Sequence, residues 1–388
     1  MKKSAILINS IHGGGAERIV IELLDQFKKV GFSPLLICID KEHSYDVSHV
    51  ENIVYFNKGS ATKNSVIKFL LIFIYAFRLK KIAKKHNLSL IQSHLSRSNY
   101  INLLSKVFGS SHSVQIVNHT AISSYWNKGG LGRINLFLIK RLYRFADLII
   151  SIAKAMNDEI ISMLKLKKQC IVIHNPFDIQ HIEALSKEVI DNEMFSFQED
   201  KKYIVFIGRL EVEKRVLNLI EATSELFNRH SQYEMLIIGE GAQKVQLEKR
   251  IKEKNMHQRI HLLGWQDNPF SIMSRCDIFV SASENEGFPN AIIESMICRV
   301  AIVHTDCLTG PREILAPDTD YNKRLQEGFS IEQCGLLTAV YDDKALIDAM
   351  DFLINNENKR KELISSARKR VDDFNFEKNV NKYLKIMR

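Results

Sequence analysis

Two doubly wound α/β domains, each built on a mostly parallel sheet, are predicted by three observations. Short β-branched or apolar runs alternate with helix-period stretches from Ala5 to Ile173, which is how consecutive strand-helix-strand units read in sequence. A second alternating set begins at Tyr203-Ile204-Val205-Phe206-Ile207. The chain has 388 residues, more than one hydrophobic core comfortably holds, and a polar, acidic stretch separates the two sets. The predicted division is a first domain over 1–185, a linker over 186–200, a second domain over 201–370 and a final helical segment over 371–388.

Composition narrows the class. With 45% apolar and 26% charged residues nothing suggests disorder. Lys2-Lys3 leads straight into the strand-like Ala5-Ile6-Leu7-Ile8, so no signal peptide is expected. Cys38, Cys170, Cys276, Cys298, Cys307 and Cys334 lie scattered in or beside apolar runs without metal-type spacing. That pattern predicts buried, reduced thiols of a cytoplasmic protein and no zinc site. The net charge of +9 is unevenly spread: residues 1–185 hold 25 Lys and Arg against 12 Asp and Glu, and the remainder 29 against 33.

In chain order, Ala5 to Asn9 is the first strand, and the glycine-rich turn Gly13-Gly14-Gly15-Ala16-Glu17 opens the helix from Ile19 to Phe27. Such a turn lets backbone approach a ligand at a strand's carboxyl end. It matches neither a Gly-x-Gly-x-x-Gly dinucleotide turn nor a P-loop. Strands follow at Leu35-Ile39, Ile53-Phe56, Leu88-Gln92, Val114-Asn118, Leu148-Ser151 and Cys170-Ile173. His119 stands at the carboxyl end of Val114-Asn118, either as a structural histidine or as a cleft residue. Val66 to Phe77 is apolar but has only twelve residues, too few to span a bilayer. Arg78, Lys80, Lys81, Lys84 and Lys85 follow it, which makes the segment either a core helix with a basic continuation or a helix lying on an anionic membrane. A second basic cluster holds Arg133, Lys140, Arg141 and Arg144. No nucleic-acid module accompanies these charges, so nucleic acid is not an expected partner.

In the second set, Tyr203-Ile207 runs into Gly208-Arg209-Leu210, with Lys214 expected at the start of the next helix. Two cations at a strand's carboxyl edge suit a diphosphate, and ordinary surface charges are the alternative. Leu236-Gly241 and Ile260-Trp265 are further strand-and-glycine turns. The most informative stretch follows Asp277-Ala282: Glu286 and Glu294 are separated by seven residues, with Gly287, Phe288, Pro289 and Asn290 between them. Gly287 permits a tight turn and Pro289 suits the first helical position, which puts Glu286 in the loop and Glu294 on the helix's second turn. The free N–H groups between them favour a diphosphate. Two carboxylates flanking a diphosphate describe a nucleotide sugar, and two solvated glutamates on an ordinary strand-loop-helix are the alternative.

Glu286-Gly287-Phe288-Pro289 followed by Glu294 resembles the Glu-x7-Glu signature of retaining glycosyltransferases of family 4, which have the GT-B fold. Gly14, Gly15 and Glu17 resemble that family's Gly-Gly-x-Glu turn, and Gly208-Arg209-Leu210 with Lys214 its donor-phosphate motif. The resemblance implies two Rossmann-like domains facing a cleft, with the last helix crossing back to the first domain. It implies that His119 lies near the transferred sugar, that Gly264 and Trp265 lie beside the base, and that Glu286 positions the sugar while Glu294 binds ribose. Thr309-Gly310-Pro311-Arg312-Glu313-Ile314-Leu315 resembles a variant found in bacterial surface-polysaccharide members.

The resulting expectation is a metal-independent retaining transferase that needs no cofactor, with Arg209 and Lys214 in the charge role of a metal. It moves a hexose or N-acetylhexosamine from a nucleotide diphosphate sugar, UDP-linked, to a polyprenyl-diphosphate-linked saccharide, at the inner face of the cell membrane. A sugar-nucleotide epimerase of the same architecture is the rival. A nicotinamide oxidoreductase is disfavoured because neither half carries the dinucleotide turn.

Overall fold

The computed structural model describes residues 3–12, 14–42, 45–48, 50–57, 65–126, 129–166, 169–189 and 195–388; Gly13 and residues 190–194 of the predicted linker lie outside them. The chain forms two compact units, Met1–Pro176 with Glu377–Arg388, and Phe177–Phe376.

The first unit is built on strands β1 (Lys3–Ile8), β2 (Leu35–Asp40), β3 (Ile53–Asn57), β4 (Leu88–His94), β5 (Ser113–Asn118), β6 (Leu148–Ser151) and β7 (Cys170–Val172). Their order across the sheet is β3-β2-β1-β4-β5-β6-β7, with parallel pairings such as Ala5 beside Leu35 and His94 beside Val117. Ala5 to Ile8 and Ile91 to His94 are all buried, as expected of strands covered on both faces. One core joins Leu7, Ile37, Ile91 and Ile116 to Tyr75, Leu79, Ile101 and Leu104 on helices Ser65–His86 and Ser96–Val107. Each buried Leu or Ile side chain contributes about 1.5–3 kcal/mol.

The second unit repeats the plan with β8 (Lys202–Ile207), β9 (Tyr233–Ile238), β10 (Ile260–Gly264), β11 (Ile278–Ser281), β12 (Ala301–Thr305), β13 (Phe329–Ile331) and β14 (Leu336–Thr338). The order is β10-β9-β8-β11-β12-β14-β13, all parallel except the β13–β14 pair. Strands β13 and β14, of three residues each, were not among the expected ones. In both sheets the first strand lies between its first and third successors, so the chain reverses its direction of winding between β1 and β4 and again between β8 and β11. Ligands bind at that reversal in doubly wound sheets, outside the strands' carboxyl ends.

The division between units falls at Pro176, ahead of the expected 185. Helix Ile179–Leu185, capped by Asp178, belongs to the second unit because its groups bond there. Leu185 O accepts from Asn268 Nδ2, Ser186 O from Ser274 Oγ, and Glu183 accepts from Arg368. The last helix, Phe376–Met387, ends against the first sheet: Ser4 Oγ donates to Met387 O (2.7 Å), and Gln115 Nε2 donates to Ile386 O (2.7 Å). These two side chains satisfy carbonyls that a helix end leaves without partners.

Candidate functional site

In the second unit the loops at the carboxyl ends of β8, β9 and β10 are laced by backbone bonds. Gly208 N donates to Ile238 O, Leu210 N to Glu240 O and Gly239 N to Gly264 O. Arg209 and the Gly264-Trp265 corner therefore stand along one edge. Arg209 is largely exposed, with Glu213 Oε1 3.5 Å away, and Trp265 is half exposed with its Nε1 donating to Asp267 Oδ1.

Lys214 does not begin a helix. It ends a short 3-10 turn, Val212–Lys214, and Arg215 at φ +51° separates it from helix Val216–Phe227. This kink turns Lys214 toward the loop after β11, where its Nζ lies 2.5 Å from Glu286 Oε1. Both side chains are mostly buried, so the pair gains strength from low dielectric and would be costly to break. Burial pushes the Glu286 carboxyl up, but the charge of Lys214, the nearby His304 and bonds from Lys214 and Ser283 outweigh it and hold the carboxyl below its ordinary value. Glu286 is thus a carboxylate that only accepts hydrogen bonds.

Pro289 is the N-cap of helix Asn290–Ile297, one position earlier than the expected first helical residue. Glu294 accordingly sits on the second turn, and it is buried, not at the surface. Phe288 is also buried, edge-on to Phe374 at 5.6 Å. Gly287 and Asn290 are half-buried between the two glutamates.

Three residues to which the sequence analysis gave no role complete this loop. His304, on β12, is fully buried, with Nε2 4.0 Å from Glu286 Oε1 and Nδ1 donating to Thr305 O. Burial lowers its pKa, partly offset by the Glu286 charge. Thr305 Oγ1 donates to Ser283 O, and Thr309 Oγ1 donates to Glu286 O. The Thr309-Leu315 motif, whose meaning the resemblance left open, acts as a brace. Gly310 has φ +93° and a Cβ there would lie 2.4 Å from Pro289 Cδ, while Arg312 is buried in a multiple hydrogen bond to Asp306. Asp318-Thr319-Asp320, the one Asp-x-Asp spacing near the motif, is exposed in the turn after it. Among the described residues no three His, Cys, Asp or Glu side chains are grouped to hold a metal ion.

In the first unit Gly14 caps helix Gly15–Lys29 and Glu17 folds back over it, so closely that a Cβ at Gly14 would meet the carboxylate at 2.1 Å. His119 follows β5 and is half-buried. Its Nε2 lies 3.0 Å from Nδ1 of His94, the fully buried last residue of β4. His94 Nε2 lies 3.2 Å from Gln92 Oε1, and Gln92 Nε2 donates to Gln115 Oε1 at 2.8 Å. His94 offers the same signal as His119, a histidine at a strand's carboxyl end. It was missed because the predicted strand stopped at Gln92. All six cysteines are buried and unpaired.

The site residues thus gather by unit: Arg209, Lys214, Gly264, Trp265, Glu286, Gly287, Phe288, Pro289, Asn290 and Glu294 on the second, Gly14, Gly15 and His119 on the first. Two family profiles cover nearly the whole chain, "Glycosyltransferase Family 4" over residues 13–181 and "Glycosyl transferases group 1" over 186–370. Over the full length of both chains the protein is 29% identical to a Campylobacter jejuni N-acetylgalactosamine-N,N'-diacetylbacillosaminyl-diphospho-undecaprenol 4-alpha-N-acetylgalactosaminyltransferase. A second C. jejuni protein, a GalNAc-alpha-(1->4)-GalNAc-alpha-(1->3)-diNAcBac-PP-undecaprenol alpha-1,4-N-acetyl-D-galactosaminyltransferase, is 23% identical over 100% of this chain and 98% of its own. In fold, the chain matches Anabaena HepE in complex with UDP (TM-score 0.75, 18% identity, 99% of each chain). It also matches sucrose-phosphate synthase of Thermosynechococcus elongatus (TM-score 0.79, 16% identity, 99% of this chain and 98% of that one). With these matches over two Rossmann-like units and the Glu286–Glu294 motif in place, the chain belongs to the family 4 glycosyltransferases, with the GT-B fold.

Proposed function

We propose that this glycosyltransferase moves an N-acetylhexosamine or hexose from a UDP-sugar to a saccharide carried on polyprenyl diphosphate, with retention of configuration. The observation that carries this is the match, end to end, to a transferase that adds N-acetylgalactosamine to an undecaprenol-diphosphate-linked sugar. In this scheme Arg209 and Lys214 meet the diphosphate of the donor, Glu294 accepts from the ribose, and Gly264 and Trp265 border the base. Lys214 leaves part of its bond to Glu286 for the phosphate, which frees the Glu286 carboxylate to accept from sugar hydroxyls. Gly287, Phe288, Pro289 and Asn290 shape the helix entry beside the phosphates.

The bond from the sugar's C1 to the phosphate oxygen breaks as the acceptor hydroxyl attacks from the same face. The acceptor's proton passes to the departing phosphate. The two cations carry the charge that grows on that phosphate, so the step needs no metal and no protein nucleophile. Gly14 and Gly15 let the first unit's backbone approach the substrate, and His119 contacts the sugar.

The membrane face is the helix Ser65–His86. Leu70, Phe73, Ile74 and Phe77 are exposed on it, with Arg78, Lys81, Lys84 and Lys85 alongside. Lys80 serves differently from expectation, donating to Phe108 O at 2.6 Å. Helix Gly129–Leu142 exposes Leu131, Ile134 and Phe137 with Arg133, Lys140 and Arg141. No described helix is long and apolar enough to cross a membrane, so the attachment proposed is peripheral, on the anionic inner leaflet.

A panel of radiolabelled UDP-hexoses and UDP-N-acetylhexosamines, with and without a polyprenyl-diphosphate disaccharide, is the test. Label should reach the lipid fraction from one N-acetylhexosamine donor. Conversion of the UDP-sugar to its epimer without any acceptor would replace this reading with the epimerase.

A further inference from the structure

A chain of four buried or half-buried side chains crosses the first sheet from the last helix to His119, and its direction can be worked out from one end. Ile386 O is a backbone carbonyl and can only accept. Gln115 must therefore present its amide nitrogen to it, at 2.7 Å, which turns Gln115 Oε1 toward Gln92. Gln92 must donate its nitrogen to that oxygen, leaving its own Oε1 toward His94 Nε2, which must carry a hydrogen to donate. His94 is fully buried, and burial with the neighbouring His119 lowers its pKa well below the ordinary value, so it is neutral and its Nδ1 holds a lone pair. Facing that lone pair at 3.0 Å, His119 Nε2 must in turn carry the hydrogen. Burial lowers the His119 pKa to about 4, which leaves its Nδ1 unprotonated too. Among the described residues nothing bonds to that Nδ1.

We propose that His94 is a positioning residue which, oriented by Gln92 and Gln115 against the last helix, locks His119 as the Nε2–H tautomer, so that His119 accepts a hydrogen bond at Nδ1 from a hydroxyl of the bound sugar. The sugar group opposite His119 is then a hydroxyl and not a carboxylate, which would set two acceptors face to face. The proposal rests on the donor-sugar role given to His119 above.

Two features of the fold hold the chain in place. Ser93 Oγ donates to Asn99 Oδ1, and Asn102 Nδ2 donates to Ile91 O, which fastens β4 to helix Ser96–Val107. Leu95, next to His94, has φ +72° and ψ 150°, a region that costs a non-glycine residue about 1–3 kcal/mol and persists only where surroundings over-determine it.

The direct test uses the intact wild-type protein with 15N-histidine labelling, the His119 signal assigned by comparison with His119→Ala. Long-range nitrogen–proton correlation at neutral pH should show His94 and His119 both protonated at Nε2 alone. An Nδ1–H or imidazolium His119 overturns the chain, and no substrate is needed to see it. In His94→Leu the His119 signal should become a tautomer mixture while kcat/KM falls about tenfold and UDP affinity holds; an unchanged His119 spectrum would show that His94 does not set the tautomer. The acceptor role is tested with donors in which each sugar hydroxyl in turn is replaced by fluorine, which cannot donate. One position should lose about three- to tenfold in the wild type and nothing further in His119→Ala. If no position's penalty depends on His119, the acceptor role fails. If no UDP-sugar is transferred at all, the donor assignment fails, and the tautomer spectrum still decides the chain.

Discussion

The two units share one sheet plan, yet they equip the winding reversal with opposite chemistry. In the second unit, the loops after β8 and β11 bring a lysine and a glutamate to 2.5 Å, a charged pair at the place where the proposed reaction would build charge on a diphosphate. In the first unit, the strands β4 and β5 end in two neutral imidazoles and the amides behind them. Surface charge runs the other way, since the basic surplus of residues 1–185 sits on exposed helices. The net charge of a unit and the charge at its sheet edge therefore vary independently. A phosphate calls for cations, and a neutral sugar calls for hydrogen bonds with a defined direction.

Lys214→Met should break the charged side of this contrast most severely. Transfer should fall about 10²–10³-fold, and Glu286, left buried without its cation, should lower stability by about 3–5 kcal/mol. Adding Glu286→Gln should restore the urea midpoint without restoring turnover. If Lys214→Met alone unfolds at the wild-type midpoint, the pair is not buried as described.

Arg209→Ala separates binding charge from folding. Because Arg209 is largely exposed with only a loose contact to Glu213, transfer should drop about 10²-fold with the melting temperature unchanged. Wild-type turnover would remove Arg209 from the diphosphate.

The surface charge is tested by Lys81→Glu, Lys84→Glu and Lys85→Glu together. At about 1 kcal/mol for each cation near an anionic leaflet, sedimentation with anionic vesicles should weaken by roughly 10²-fold while UDP binding is kept. The wild-type attachment should fade with salt, given a Debye length of about 8 Å at physiological ionic strength. A wild-type protein that ignores anionic vesicles at low salt would leave a soluble acceptor as the better fit.

The smallest effect concerns acid. Glu286 titrates below its ordinary 4.5 in the folded state, so its contribution to stability is complete above that value and is lost as pH falls through the lowered one. Glu286→Gln should therefore flatten the acid-unfolding curve below about pH 4.5 and leave its shape near neutrality alone. An unchanged acid limb would mean that the carboxyl is not held down.

The alternating strands, the glycine turns, the Glu286-to-Glu294 spacing and the basic half are all readable from sequence, because side-chain period and backbone freedom are local properties. Partnership is not local. Lys214 meets Glu286 only because β8 and β11 are neighbours in the sheet and Arg215 takes a left-handed kink. The sequence places Lys80 in the basic run, but only the packing of helix Ser65–His86 beside Phe108 turns it inward. Helix Ile179–Leu185 looks like the tail of the first set until its end carbonyls find donors at Asn268 and Ser274. His94 carries the same local signal as His119, but its role depends on Gln92, Gln115 and a carbonyl nearly at the chain's end. Sequence determines which residues can stand at a strand's carboxyl edge; strand order and the closing helix decide which of them touch, because those contacts join residues far apart in the chain.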